Sequence, residues 1–156
     1  MISAIKKFFT KKEDLHLVMK LNELNNIENI NLGGCAIVAY SLKKYLKKDN
    51  VKILYLMSKY DVYMGNSEKL NNGIAESCAH SIIEKDGKYI DSTGIYSRKS
   101  FLKRWKGVQE IIEVPMDLVL ESINNSVWNS TFSRENNLYK IDRLFNLNGE
   151  LLKEIK

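Results

Sequence analysis

The sequence predicts an α+β domain in which an antiparallel sheet packs against a cysteine-bearing helix near the N-terminus. Three observations carry that expectation. Apolar residues recur at helical spacing at both ends of the chain. The middle holds β-branched and aromatic runs around Lys85-Asp86-Gly87-Lys88, where Asp-Gly between alternating segments marks a two-residue type I′ hairpin. The length of 156 residues, 44% hydrophobic and 28% charged, suits one domain with a full core, spanning 1–156.

In chain order, Thr10-Lys11-Lys12-Glu13 has the spacing of a capping box, and Leu17, Val18, Leu21 and Leu24 follow as the apolar stripe of a first helix. The stretch Asn25 to Gly34 breaks that pattern with polar residues and ends in the pair Gly33-Gly34. From Cys35 a second stripe runs through Val38, Ala39, Leu42 and Leu46, with Lys43, Lys44, Lys47 and Lys48 on the opposite side. Residues 51–57, 79–84, 88–93 and 108–114 are expected as the strands of the sheet. The Asn/Ser/Gly-rich stretch 65–77 has no clear period and reads as a surface loop. Residues 97–106 suit a short helix with Phe101, Leu102 and Trp105 inward, and Pro115 suits the first position of another. Ile141, Leu144 and Phe145 form a late stripe, Gly149 interrupts it, and 151–156 can add a last turn.

Composition removes several classes. A disordered tail, a collagen-like fibre and a disulfide scaffold are excluded by ordinary globular usage. No apolar run approaches the roughly 18–20 residues that span a bilayer, so no membrane role is expected. The start, with its lysines and Phe8-Phe9, lacks a signal-peptide core, and a cytoplasmic location is expected. The net charge of +5 fits either an anionic partner or a lysine-rich surface.

Two cysteines are too few for a disulfide framework, so each must be core filler, metal ligand or nucleophile. Cys35 opens a helix after two glycines, where free backbone N–H groups and the helix dipole favour a thiolate. Its own backbone N–H can meet a developing oxyanion. A base is supplied by the hairpin. With Lys85 facing Lys88, opposed residues sum to 173, Ile82 faces Asp91, and His80 shares the face of Ile82. A diagonal pair on such a ladder lies about 7–8 Å apart, close enough for Asp91 to hold the His80 imidazole. Cys35, His80 and Asp91 are therefore the candidate nucleophile, base and orienting carboxylate. A rival assembly makes Cys35, Cys78, His80 and Asp91 four zinc ligands, although only Cys78-x-His80 is closely spaced. His16 reads as a surface histidine.

The segments GGCAIVAYSLKKYL and AHSIIEKDGKYIDSTG, covering residues 31–96 with the strand between them, resemble the papain-like superfamily, nearest its transglutaminase-like branch and short phage-encoded members. The resemblance implies a papain-like/transglutaminase-like fold with Cys35 as nucleophile, His80 as general base and Asp91 as orienter, and needs no cofactor or metal. It departs at Ala36, where papains often carry an aromatic residue, and at Ser81, where transglutaminase-like proteins carry Trp. Asn31 or Asn29 stands where the papain oxyanion glutamine would fall, and Asn31 is the candidate.

The expected function is a thiol-dependent amide or thioester acyl enzyme, passing an acyl group to water or to an amine, with a protein or peptide substrate such as a host protein. Two alternatives remain. One is a catalytically inert papain-like scaffold that binds a partner protein. The other is a nucleic-acid binder using Arg98, Lys99, Lys103, Arg104 and Lys106 around Trp105, although that tryptophan reads better as a core anchor, and nucleic acid is not the expected partner.

Overall fold

In the computed structural model, which describes residues 12–28, 30, 34–126 and 134–156, the β-branched and aromatic run after residue 51 becomes an interior strand, β1 (Lys52–Ser58). Its alternation divides the core. Ile53, Tyr55 and Met57 are buried on one face of the sheet, while Leu54 and Leu56 are buried on the other. The remaining strands are β2 (His80–Lys85), β3 (Lys88–Asp91), β4 (Gly94–Ser97) and β5 (Val108–Glu113). Their order is β4-β3-β2-β1-β5, and every neighbouring pair is antiparallel.

The helices are α1 (Lys12–Asn25), α2 (Cys35–Leu46), α3 (Lys59–Tyr63), α4 (Asn66–Asn71), α5 (Arg98–Arg104), α6 (Met116–Asn125), α7 (Arg134–Phe145) and α8 (Glu150–Glu154). Leu17, Leu21 and Leu24 of α1, Ile37 and Leu42 of α2, Val119 and Ile123 of α6, Ile141 and Phe145 of α7 and Leu151 of α8 join the larger core cluster. The other face is covered by α5, whose Phe101 packs on Leu54, Leu56, Ile82 and Tyr89. The C-terminal part is tied to α2 by polar contacts as well. Lys44 Nζ reaches Glu150 at 2.9 Å and Glu154 at 2.8 Å, and the Tyr40 hydroxyl donates to Glu154.

Two tight turns place the functional strands. Asp86 and Gly87 have φ of 51° and 74°, and the pairs Lys85↔Lys88, Glu84↔Tyr89 and Ile83↔Ile90 follow the expected register. The second turn lies beyond Asp91. The Asp91 carboxylate accepts hydrogen bonds from the Thr93 N–H and hydroxyl, which reverses the chain so that Asp91 pairs with Gly94 and β4 begins. Gly94 has φ of 152°, a conformation that disfavours a side chain, and an added Cβ would come within 3.2 Å of the Tyr96 hydroxyl.

Several expectations need correction. The strand expected through residue 93 stops at Asp91, because the Asp91 side chain diverts the backbone at Thr93. The four-residue β4 was not foreseen, being too short to show alternation. Within the expected loop 65–77 lies α4, and α3 precedes it, capped by Ser58 and Asp61 in a reciprocal box. Pro115 is the N-cap of α6 and not its first helical residue. Thr10, Asn29, Asn31 and Gly33 lie outside the described residues. Among the described residues, no helix is long and apolar enough to cross a membrane.

Candidate active site

The chain brings Cys35, His80 and Asp91 together although 45 residues separate the first two. Each arrives for a local reason. Cys35 is the first residue of α2, whose N-cap Gly34 offers no side-chain acceptor. The first-turn N–H groups of such a helix have no carbonyl four residues back and point toward the sulfur's surroundings. His80 opens β2, and Asp91 ends β3 across the hairpin.

His80 Nε2 lies 3.1 Å from Asp91 Oδ2, with both residues buried. This is the diagonal pairing expected from the register. Asp91 Oδ1 accepts from the Thr93 N–H at 2.9 Å and the Thr93 hydroxyl at 2.6 Å, so both carboxylate oxygens are engaged. Because Asp91 occupies Nε2, the ring nitrogen left for the thiol is Nδ1, and Cys35 lies within hydrogen-bonding reach of His80. The imidazole plane is fixed by Trp105, stacked on it with centroids 4.2 Å apart and planes 11° from parallel. Phe101 lies parallel further off, at 6.2 Å.

The charges follow from these contacts. Burial pushes the Cys35 thiol up, but the hydrogen bond and positive charge of His80, with donors from Ser81, outweigh burial and hold it below its ordinary value. Burial pushes His80 down, yet Asp91 and Cys35 raise it to about 9. Burial likewise opposes ionisation of Asp91, and His80 with Thr93 keeps it below the usual carboxylate range. These directions favour a thiolate beside an imidazolium held by a carboxylate over a neutral thiol–imidazole pair.

Cys78 behaves oppositely. Burial and the nearby Cys35 charge raise its thiol well above the ordinary value. Its Sγ lies 3.3 Å from the His80 carbonyl, to which it donates, and 3.2 Å from the Ser81 hydroxyl. It precedes β2 and packs against the α2-side core, so the two-residue alternation that would put it on the His80 face does not extend to it. Among the described residues, no group of three or more His, Cys, Asp and Glu side chains is arranged to hold a metal, and the four-ligand zinc assembly is not formed. His16 is exposed, as expected.

A cavity of about 500 Å³ opens over the triad. Tyr55 and Ser122 also line it, as do Trp105, stacked on His80, and Arg104, which donates to Thr93. Burial raises the Tyr55 phenol, which therefore stays a neutral group. Sequence reasoning missed Thr93, Arg104 and the role of Trp105. Thr93 follows Asp91 at the Asx-turn spacing and was a findable signal. Trp105 packs against the Phe101 core cluster, as expected of a core anchor, and also forms a wall of the cavity against His80. Asn31, the candidate oxyanion donor, lies outside the described residues, so the Cys35 N–H is the donor that the helix terminus supplies.

The thiolate–imidazolium pair gives stability an unusual pH profile. Between the folded Cys35 pKa and about pH 9 the folded pair holds one proton, on His80. Between ordinary values of 6.5 for histidine and 9.0 for cysteine, the unfolded pair also holds one, on sulfur. Where those two ranges overlap, equal proton counts make the pair's contribution flat. In Cys35→Ser only Asp91 is left to raise His80 against the burial that lowers it, and where Asp91 prevails the stabilisation is complete below 6.5 and is lost as pH rises through the folded value. Urea denaturation should be pH-independent here for wild type and should decline for the variant, with a slope of up to about 1.4 kcal/mol per pH unit.

Compared with protein-family models, curated proteins and solved structures, the chain has no match.

Proposed function

We propose that this protein is a thiol-dependent acyl enzyme with the fold of the papain-like superfamily, nearest its transglutaminase-like branch. The single observation that carries the reading is the aligned set of Cys35 at a helix N-terminus, His80 within its reach and Asp91 on the second ring nitrogen. The Cys35 thiolate attacks the carbonyl carbon of an amide or thioester, and the carbonyl π electrons move onto oxygen, facing the Cys35 N–H. Collapse of that intermediate expels the amine or thiol, which takes the proton from the His80 imidazolium. His80, now neutral, removes a proton from water or an amine as it attacks the thioester. The products are a carboxylic acid or a new amide, and the thiolate is restored as the leaving group.

The expected substrates are peptides or proteins, since the cavity is open and the nucleophile sits at its wall. The nucleic-acid reading has less to rest on, because one face of Trp105 is spent on His80. An inert scaffold has no evident use for an imidazole held by a buried carboxylate and a stacked tryptophan beside a cysteine at a helix terminus.

The test uses p-nitrophenyl acetate as a generic acyl donor. A burst of nitrophenol with an acetyl group on Cys35, located by peptide mass mapping, is the expected result. Cys35→Ala should give neither. Partition of that acetyl group between water and added glycine amide then separates hydrolase from transferase. Wild-type protein without a burst or a Cys35 adduct would overturn the reading.

A further inference from the structure

We propose that Arg104 is an anion subsite on the wall of the cavity that Cys35 also lines, selecting acyl substrates that carry a carboxylate away from the attacked carbonyl. This rests on the thiolate reading above and adds a substrate class to it. Arg104 is the last residue of α5 and lines the same cavity as Cys35 and His80. Its guanidinium is already positioned. One Nη1 hydrogen is donated to the Thr93 hydroxyl oxygen at 3.2 Å, and its central carbon lies 4.6 Å from the Tyr96 ring centroid. The Tyr96 hydroxyl in turn lies 2.9 Å from the same Thr93 oxygen. A guanidinium held by stacking and one hydrogen bond loses little further freedom when a ligand takes its other donors.

The charges around the cavity leave that group without an anion. Asp91 spends one oxygen on His80 and the other on Thr93, and Glu76 pairs with Lys69 at 2.7 Å. Among the described residues, no carboxylate stands within ion-pairing distance of Arg104. A single guanidinium with no lysine in the lining, among the described residues, matches a carboxylate, which a planar fork binds through two parallel hydrogen bonds, better than a phosphate dianion. The Thr93 link also makes Arg104 a candidate prop for Asp91, and the two roles differ in what they discriminate. A prop affects every reagent at Cys35 alike, whereas a subsite distinguishes reagents by charge.

The experiment labels the full-length protein at neutral pH with N-ethylmaleimide, maleimidopropionate and maleimidohexanoate, which share one thiol-reactive ring and differ in charge and reach. Adducts at Cys35 and Cys78 are separated by peptide mass mapping. The quantity read is the Cys35 rate ratio of each acid to the neutral reagent, which divides out any change in the thiol itself. In wild type, at least one acid should exceed the neutral reagent about tenfold after correction for a free thiol, as a charge-assisted hydrogen bond predicts. Arg104→Gln should remove the preference, Arg104→Glu should invert it, and added salt should weaken it in wild type. Rapid labelling of Cys35 with the same ratios in wild type, Arg104→Gln and Arg104→Glu would overturn the subsite and leave the thiolate reading standing. Slow labelling of Cys35 by all three reagents would overturn the thiolate reading and the subsite with it.

Discussion

Replacing His80 with alanine is expected to slow alkylation of Cys35 by iodoacetamide at about pH 6 roughly tenfold. The size follows from what opposes what at the sulfur. Burial alone would raise the thiol, and His80, through its hydrogen bond and its charge, is the main influence that reverses burial. Without the imidazole, Cys35 is a partly buried thiol at a helix terminus. An ordinary thiol of pKa about 8.5 is only about 0.3% thiolate at pH 6. Most of the gain in thiolate is offset because a more acidic thiol is a weaker nucleophile, which brings the expected factor down to about ten. Cys78 provides the internal comparison, since its thiol is raised and should label slowly in both proteins. An unchanged Cys35 rate in His80→Ala would mean that the helix terminus alone activates the sulfur.

The second large effect is on stability. Phe101→Ala should lower the free energy of unfolding by about 3–5 kcal/mol, the usual range for emptying a fully buried phenylalanine site. Phe101 has no exposed surface and is the hub of the second core cluster. Its ring meets Tyr89 at 5.7 Å and Tyr96 at 5.8 Å between centroids, and Trp105 stacks at 6.4 Å. The cavity left behind would undercut the Trp105 ring that holds His80. Urea denaturation at constant pH measures the loss, and Phe101→Leu, which keeps most of the volume, should recover the greater part. A loss below about 1 kcal/mol for Phe101→Ala would mean that the aromatic cluster is not a cooperative part of the fold.

The triad was legible because its geometry is set locally. Asp86-Gly87 fixes the turn type, the turn fixes the register, and the register places Asp91 diagonally from His80. Cys35 was legible for a comparable reason, since two glycines before an amphipathic stripe mark where the helix opens. What escaped was either too short or too distant. The helices α3 and α4 span five and six residues, less than two turns, so no period develops, although Ser58-x-x-Asp61 was a capping signal. The strand β4 depends on a side chain, that of Asp91, turning the backbone at Thr93. Trp105 and Arg104 reach the site only because β4 and α5 fold back along β3, and sequence patterning carries no such distance.

The most direct measurement is the ultraviolet absorbance of thiolate, taken as wild type minus Cys35→Ser and titrated from about pH 4 to about pH 9. The account predicts a thiolate signal already present at neutral pH and lost only in acid, as the Cys35–His80 pair takes up its second proton. A difference signal that first rises near pH 8.5, where a free thiol ionises, would contradict it.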